Sequence, residues 1–282
     1  MLFFKRLVPI LVLGIIVGLI FFFPARAGKL TVAFLDVGQG DSIFITGPTG
    51  VQLLIDGGAG PSVLRGLSSQ MPFYDRTIDY VIATHPDQDH IGGLVDVVER
   101  YVVRHYLESG VQSDSPAYHA LEGLLEHKQV TRGAAYRVDV LDLGGGAYAR
   151  ILFPDRAVVG LETNTASVVL QVVYGDHEFL LTGDAPKSIE KYLVSLYGGS
   201  LLSDVLKLGH HGSNTSSEEE FIDVVSPTYA VVSAGKDNRY GHPHQEVVER
   251  VRQKNIPLFS TAEEGTIIFV SDGAVLKKVG SR

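Results

Sequence analysis

From Thr84 to Gly93 the chain reads Thr-His-Pro-Asp-Gln-Asp-His-Ile-Gly-Gly, so His85, Asp87, Asp89 and His90 put four potential metal ligands within six positions. Imidazole nitrogens and carboxylate oxygens are donors that hold divalent cations, and a cluster of them suits the activation of water for hydrolysis. The competing use is a capped polar surface loop with Asp89 near a helix N-cap, but capping has no need of two histidines. Asp184 follows the apolar run Phe179-Leu180-Leu181-Thr182 and offers either a further oxygen ligand or a cap for the helix beginning at Pro186. His210 and His211 end another apolar run, Val205-Leu206-Lys207-Leu208. In extended backbone, adjacent side chains point to opposite faces, so only one of the two is expected to ligate. His210 is favoured as that ligand, and His211, with Asp89, is a candidate catalytic residue facing substrate or solvent.

His242 and His244 sit in a loop shaped by glycine and proline that also carries Lys236, Asn238, Arg239 and Tyr240. Such a loop could hold a phosphate beside a metal through charge-assisted hydrogen bonds, its alternative being a solvated turn. Asp41 and Asp56 lie next to glycine and Asp36 two residues before one, which is ordinary turn chemistry, although Asp56 could instead orient a ligand histidine from behind.

These residues need elements to position them. Short apolar runs broken by glycine predict strands at residues 30–35, 42–46, 51–55 and 78–83, and again at 148–153, 167–174, 178–182, 204–208, 229–233 and 266–270. Amphipathic periodicity predicts helices at 91–100, 116–127, 186–197 and 244–254. The class is therefore mixed α/β with two strand-rich halves, and Gly144-Gly145-Gly146 reads as a turn between strands rather than a boundary.

Composition narrows the function. The 45% hydrophobic content of 282 residues can fill a core, and 24 basic against 32 acidic residues give a net charge of −8, which excludes a global field attracting polyanions. Lys207, Lys236 and Arg239 are only scattered candidates for a basic track. The absence of cysteine excludes disulfides, thiolate metal sites and cysteine nucleophiles. At the N-terminus, Lys5 and Arg6 precede an apolar run from Leu7 to Phe23, followed by Pro24-Ala25-Arg26-Ala27. Residues 1–27 thus predict an export signal or an uncleaved membrane anchor, and residues 28–282 a hydrolase domain outside the cytoplasmic membrane.

The run from His85 to His90 resembles the His-x-His-x-Asp-His signature of the metallo-β-lactamase superfamily, with Asp87 where the second histidine usually stands. Asp36-Val37-Gly38-Gln39-Gly40-Asp41-Ser42, Asp56-Gly57-Gly58, Thr182-Gly183-Asp184, Gly209-His210-His211-Gly212-Ser213 and Gly241-His242-Pro243-His244 occur in that superfamily's order. Together they resemble the nuclease-like domain of the ComEC competence family. Only one hydrophobic segment stands against that family's membrane channel, so a role in DNA uptake is not expected from the match alone. The resemblance implies a four-layer αββα sandwich with ligand loops along one edge. It also implies that Asp184 bridges two ions. Asn164 and Ser167 fall near the place of a third metal-binding histidine, and neither is one.

The resulting expectation is one ion on His85, Asp87 and Asn164 and a second on Asp89, His90 and His210. The shift toward oxygen donors favours manganese over zinc. Hydrolysis of DNA or another phosphodiester is the expected reaction; the alternatives are β-lactamase-like ester or amide hydrolysis and a non-catalytic binding role for the same fold. Membrane contact is expected only through an uncleaved N-terminal segment.

Overall fold

The computed structural model describes residues 28–137 and 140–280; the apolar N-terminal run and its signal-or-anchor expectation lie outside the described residues. The first strand, β1 (Leu30–Phe34), is buried along its whole length and pairs antiparallel with β2 (Ile43–Thr46) and β14 (Ile267–Ser271). β2 returns into β3 (Gln52–Ile55), and β4 (Thr77–Ala83), β5 (Val102–Glu108) and β6 (Thr131–Ala134) continue the sheet in parallel. With β15 (Leu276–Val279) on the far side, the sheet has eight strands in the order β15-β14-β1-β2-β3-β4-β5-β6. A second sheet of seven strands runs β13-β12-β11-β10-β9-β8-β7. It comprises β7 (Val140–Gly144), β8 (Ala147–Phe153), β9 (Val169–Tyr174), β10 (His177–Leu181), β11 (Val205–Lys207), β12 (Tyr229–Val232) and β13 (Leu258–Ser260).

Three apolar layers hold four structural layers together. Phe34, Ile45, Leu53, Phe179, Leu181 and Phe269 are among the residues that fill the space between the sheets. Helices α1 (Ser62–Gln70), α2 (Gln88–Arg100) and α3 (Pro116–His127) cover the outer face of the first sheet, where Leu67, Leu94 and Leu121 meet Ala33, Phe44 and Leu54. Helices α4 (Lys187–Tyr197), α5 (Glu219–Val225) and α6 (Gln245–Gln253) cover the second sheet through Leu193, Phe221 and Val247. Central strands are apolar on both faces because each sheet packs on both sides, which is why they read as unbroken apolar runs rather than alternating ones. The result is the αββα sandwich that the resemblance implied.

The predicted strands and helices recur with ends shifted by at most three residues. The shift that matters is at α2, which starts at Gln88, so Asp89 and His90 stand in its first turn rather than in a preceding loop. Asp87 is its N-cap residue, but its side chain makes no capping hydrogen bond.

Candidate metal centre

The parallel strands β4, β10 and β11 end at one edge of the sandwich, and each delivers donors as it ends. His85 follows β4; Asp89 and His90 follow on the first turn of α2, where the helix dipole favours the carboxylate. Asp184 follows β10, and His210 and His211 follow β11. Asp184 Oδ2 is the common point, lying 3.9 Å from His85 Nε2, 3.3 Å from His90 Nε2, 3.7 Å from His210 Nε2 and 3.4 Å from His211 Nε2. Asp89 Oδ2 lies 3.3 Å from His211 Nε2, and Asp87 Oδ2 lies 3.7 Å from His85 Nε2. His85, His90 and Asp184 form one group whose donor atoms could hold a metal, Asp89, His90 and His211 a second, and Asp41, Asp184 and His211 a third.

The partners behind these rings fix which nitrogen is free. His211 Nδ1 donates to the Ser233 carbonyl at 2.9 Å, so its proton is on Nδ1 and Nε2 faces the cluster. Asp56 Oδ2 holds His90 Nδ1 at 2.8 Å, and Thr84 pins that carboxylate by donating its amide at 2.8 Å and its hydroxyl at 2.7 Å. His85 Nδ1 lies 3.0 Å from the Thr84 hydroxyl and 3.2 Å from that of Ser167. Carbonyl or carboxylate partners on the far nitrogen are what orient metal-binding imidazoles. The Nε2 atoms of His85, His90 and His211 and Asp184 Oδ1 are buried without a hydrogen-bond partner. Buried polar atoms are nearly always satisfied, so the three unsatisfied imidazole nitrogens gathered around Asp184 Oδ2 fit a divalent cation.

Close packing of the backbone supports this arrangement. The Asp56-Gly57-Gly58 turn lies against Gly92-Gly93 at the start of α2, where a Cβ on Gly93 would collide with the carbonyl oxygens of Gly57 and Gly60. Asp56 itself has φ 58°, a left-handed conformation that turns its carboxylate under His90.

A family model described as the metallo-beta-lactamase superfamily matches residues 35–236, which contain every donor described above. The chain belongs to this superfamily. It is similar to ComE operon protein 3 of Bacillus subtilis, with 32% identity over 271 residues, covering 88% of this chain and 34% of that protein. It is also similar to competence protein ComA of Neisseria gonorrhoeae, with 33% identity over 242 residues, covering 86% of this chain and 32% of that protein. Both are ComEC-family competence proteins, and the chain spans about a third of their length. Among solved structures, the metallo-beta-lactamase fold protein YhfI from Bacillus subtilis shares the fold at TM-score 0.52 and 12% identity, covering 86% of this chain and 100% of that one.

Two features of this superfamily member were not legible in its sequence. His210 and His211 are not extended: their φ values are 48° and 53° and their ψ values 51° and 27°, both left-handed. The alternation expected for a strand end therefore does not apply, and both rings turn toward Asp184. His211 is buried and joins the donor groups, while His210 is more exposed, its Nδ1 lying 2.9 Å from the Thr215 hydroxyl. The second feature is Lys207, which does not belong to a surface track for a polyanion: it is fully buried, donates to the Gly183 carbonyl at 2.9 Å and ion-pairs with Asp41. Its ammonium also stands 3.8 Å from Asp184 Oδ1, so it offsets carboxylate charge inside the centre.

The remaining candidates surround the centre. Ser167 accepts the Asp184 amide as well as facing His85, and Asn164 lies in the one-turn helix before it with a buried, unpaired Oδ1. Thr163 beside it hydrogen-bonds Asp87, a partner that sequence reasoning missed, as it did Thr84 and the Ser233 carbonyl. Asn238 organises the outer loop by donating to the Gly235 and His242 carbonyls. His244 accepts the Asn214 amide at 2.9 Å, which ties that loop to the His211 turn. Arg239 is exposed and lies over the Tyr240 ring at 4.9 Å.

The buried carboxylates and imidazoles of the centre shift one another's titration. Burial works against charge on His211, yet Asp184, Asp41 and Asp89 raise its pKa to about 9. Burial likewise opposes charge on His90, but Asp184 and Asp56 hold it well above the ordinary histidine range. Burial favours protonation of Asp184, but His211, His90 and His85 outweigh it and hold this carboxyl well below its usual value. His85 is pushed well down by burial and then by His90, which leaves it neutral.

Proposed function

We propose that this chain is a metal-dependent phosphodiesterase that hydrolyses nucleic acid. The observation that carries the reading is the convergence of His85, His90, His211 and Asp184 on one space with unsatisfied, outwardly fixed donor atoms, joined by Asp89. His85 and Asp184, with Asp87 at their side, would hold one ion, and Asp89, His90 and His211 a second, with Asp184 shared. The aspartates make manganese as well as zinc a fitting occupant. Bound cations would supply water acidic enough to attack at neutral pH and positive charge for the non-bridging phosphate oxygens.

The chain's own residues do the rest. Asp56, Ser233 and Thr84 hold the imidazoles in the required tautomers, and the Lys207–Asp41 pair keeps the floor of the site rigid and charge-balanced. His242 stands at the mouth, its ring 5.5 Å from that of His210. Burial, then the neighbouring His211, His210 and His244, lower its pKa to about 4, so it is neutral at pH 7 and meets a leaving oxygen as a hydrogen-bonding group. Nucleic acid is favoured over a small diester by the Tyr240–His242 stack, centroids 5.7 Å apart at 20°, beside the exposed Arg239. An aromatic face with a cation next to it suits an unpaired base and its phosphate. The competence relatives support the same substrate class.

The test is cleavage of fluorescent single- and double-stranded DNA by the manganese-loaded chain beside Asp89→Ala. Loss of at least about 100-fold in rate in the variant is expected, the scale of removing a preorganised catalytic group. No cleavage by a metal-replete parent would reject the nuclease reading, and nitrocefin turnover in its place would assign the centre to amide hydrolysis.

A further inference from the structure

The strand directions give the sandwich two unlike edges. The metal centre occupies the edge where β4, β10 and β11 end. The other edge carries the start of β1 and the turns between β2 and β3, between β7 and β8 and between β9 and β10. Gly28 enters here, its amide donating to the Pro48 carbonyl in the β2–β3 turn. The segment before β4 lies at the same edge, because Gln52, at the end of that turn, donates its side-chain amide to Asp75 at 2.7 Å. On that segment Phe73 is 78% and Tyr74 52% exposed, their rings in edge contact at 5.4 Å, and Val102, 62% exposed, starts β5 beside them. Lys29 before β1, Arg76 before β4 and Arg100 before β5 are exposed along the same edge.

We infer that this edge rests on a lipid bilayer, with Phe73 and Tyr74 entering the interface and the metal centre facing away from it. Adjacent exposed aromatics on an edge that also carries exposed basic side chains match the chemistry of a headgroup layer, where aromatic rings sit at the boundary and basic side chains meet anionic lipid. The occupant is identified by the chain that leads to this edge. Leu7 to Phe23 is apolar, and only Pro24 to Ala27 separate it from Gly28. The five steps from Phe23 to Gly28 reach at most about 18 Å, so an apolar run seated in lipid would leave Gly28 no freedom to stand far from the surface. From β1 to β4 is three strand spacings, about 14 Å, which puts the aromatic segment over the same patch of membrane. Among the described residues no helix is long and apolar enough to cross a membrane, so the contact proposed is interfacial.

The sequence contains no tryptophan, so a single substitution installs a unique reporter. The full chain would be reconstituted into vesicles of phosphatidylcholine and phosphatidylglycerol, with and without brominated acyl chains, as Phe73→Trp and as Val159→Trp. Val159 is 84% exposed in the segment following β8, at the metal-centre edge. Expected is a blue-shifted emission for Phe73→Trp, quenched several-fold more strongly by brominated lipid than that of Val159→Trp, with far-ultraviolet circular dichroism unchanged in both. Equal quenching of the two variants, emission at the solvent wavelength from Phe73→Trp, or a chain that does not float with the vesicles would each overturn the inference. None of these readouts depends on nuclease activity.

Discussion

At the scale of single residues, the two adjacent histidines divide labour in a way that can be measured. His211 is buried among Asp89, His90 and Asp184 with its tautomer set by a carbonyl, whereas His210 is more exposed on a hydroxyl. His211→Ala is expected to weaken metal binding by more than the roughly 10- to 100-fold that losing an outer orienting partner costs, and His210→Ala by less, as read by calorimetric titration of the chelator-stripped chain with manganese. What the sequence disclosed at this scale is what is local: His85, Asp87, Asp89 and His90 are near in space because they are near along the chain, and strand ends advertised Asp184. It could not disclose which histidine turns inward. That depends on left-handed backbone at two non-glycine positions, imposed by contacts from elsewhere, including Pro243 against Gly212 and the His244–Asn214 bond. Nor could it disclose the burial of Lys207, since a lysine in an apolar strand ordinarily reaches solvent and only the fold supplies Asp41 as its partner.

At the scale of elements, the segment carrying those histidines is braced by α4. Glu190 on that helix accepts the amides of Ser217 and Glu218, while Lys187 donates its amide to Thr215 and Ser216 its hydroxyl to Ala185. Burial raises the Glu190 pKa from its ordinary 4.5 to about 7. The folded state therefore holds this proton more tightly than the unfolded chain. The stability it contributes is fully present below pH 4.5 and is lost as pH rises through about 7, amounting to about 3 kcal/mol. Urea midpoints of the chain and of Glu190→Gln, compared at pH 4.5 and pH 8, are expected to diverge by that order, with the variant the relatively more stable at pH 8. Elements with a clean period were legible in sequence: α3 spans the residues its amphipathic repeat marked. β5 was not, because its pattern of exposed and buried residues follows neither strict alternation nor a continuous apolar run. β13 and β15 are short edge strands whose register is set by a neighbour rather than by their own composition.

At the scale of the whole molecule, the donors come from both sheets. His85, Asp89 and His90 follow a strand of the first, Asp184 and His211 strands of the second. A cation binding there fastens the two halves to each other and binds the folded state alone. At a metal concentration about 100 times the dissociation constant this adds about 2.7 kcal/mol, so chelation is expected to lower the melting temperature by about 5–10 °C in differential scanning calorimetry, reversibly on adding manganese. The Lys207–Asp41 pair spans the same seam, the lysine from β11 and the aspartate from the connection between β1 and β2. Lys207 is alone among the lysines of the described residues in being shut away from solvent. An amine-acylating reagent thus finds every other described lysine first, and the appearance of a label on Lys207 in a digested sample becomes a covalent timestamp for the moment the two sheets part.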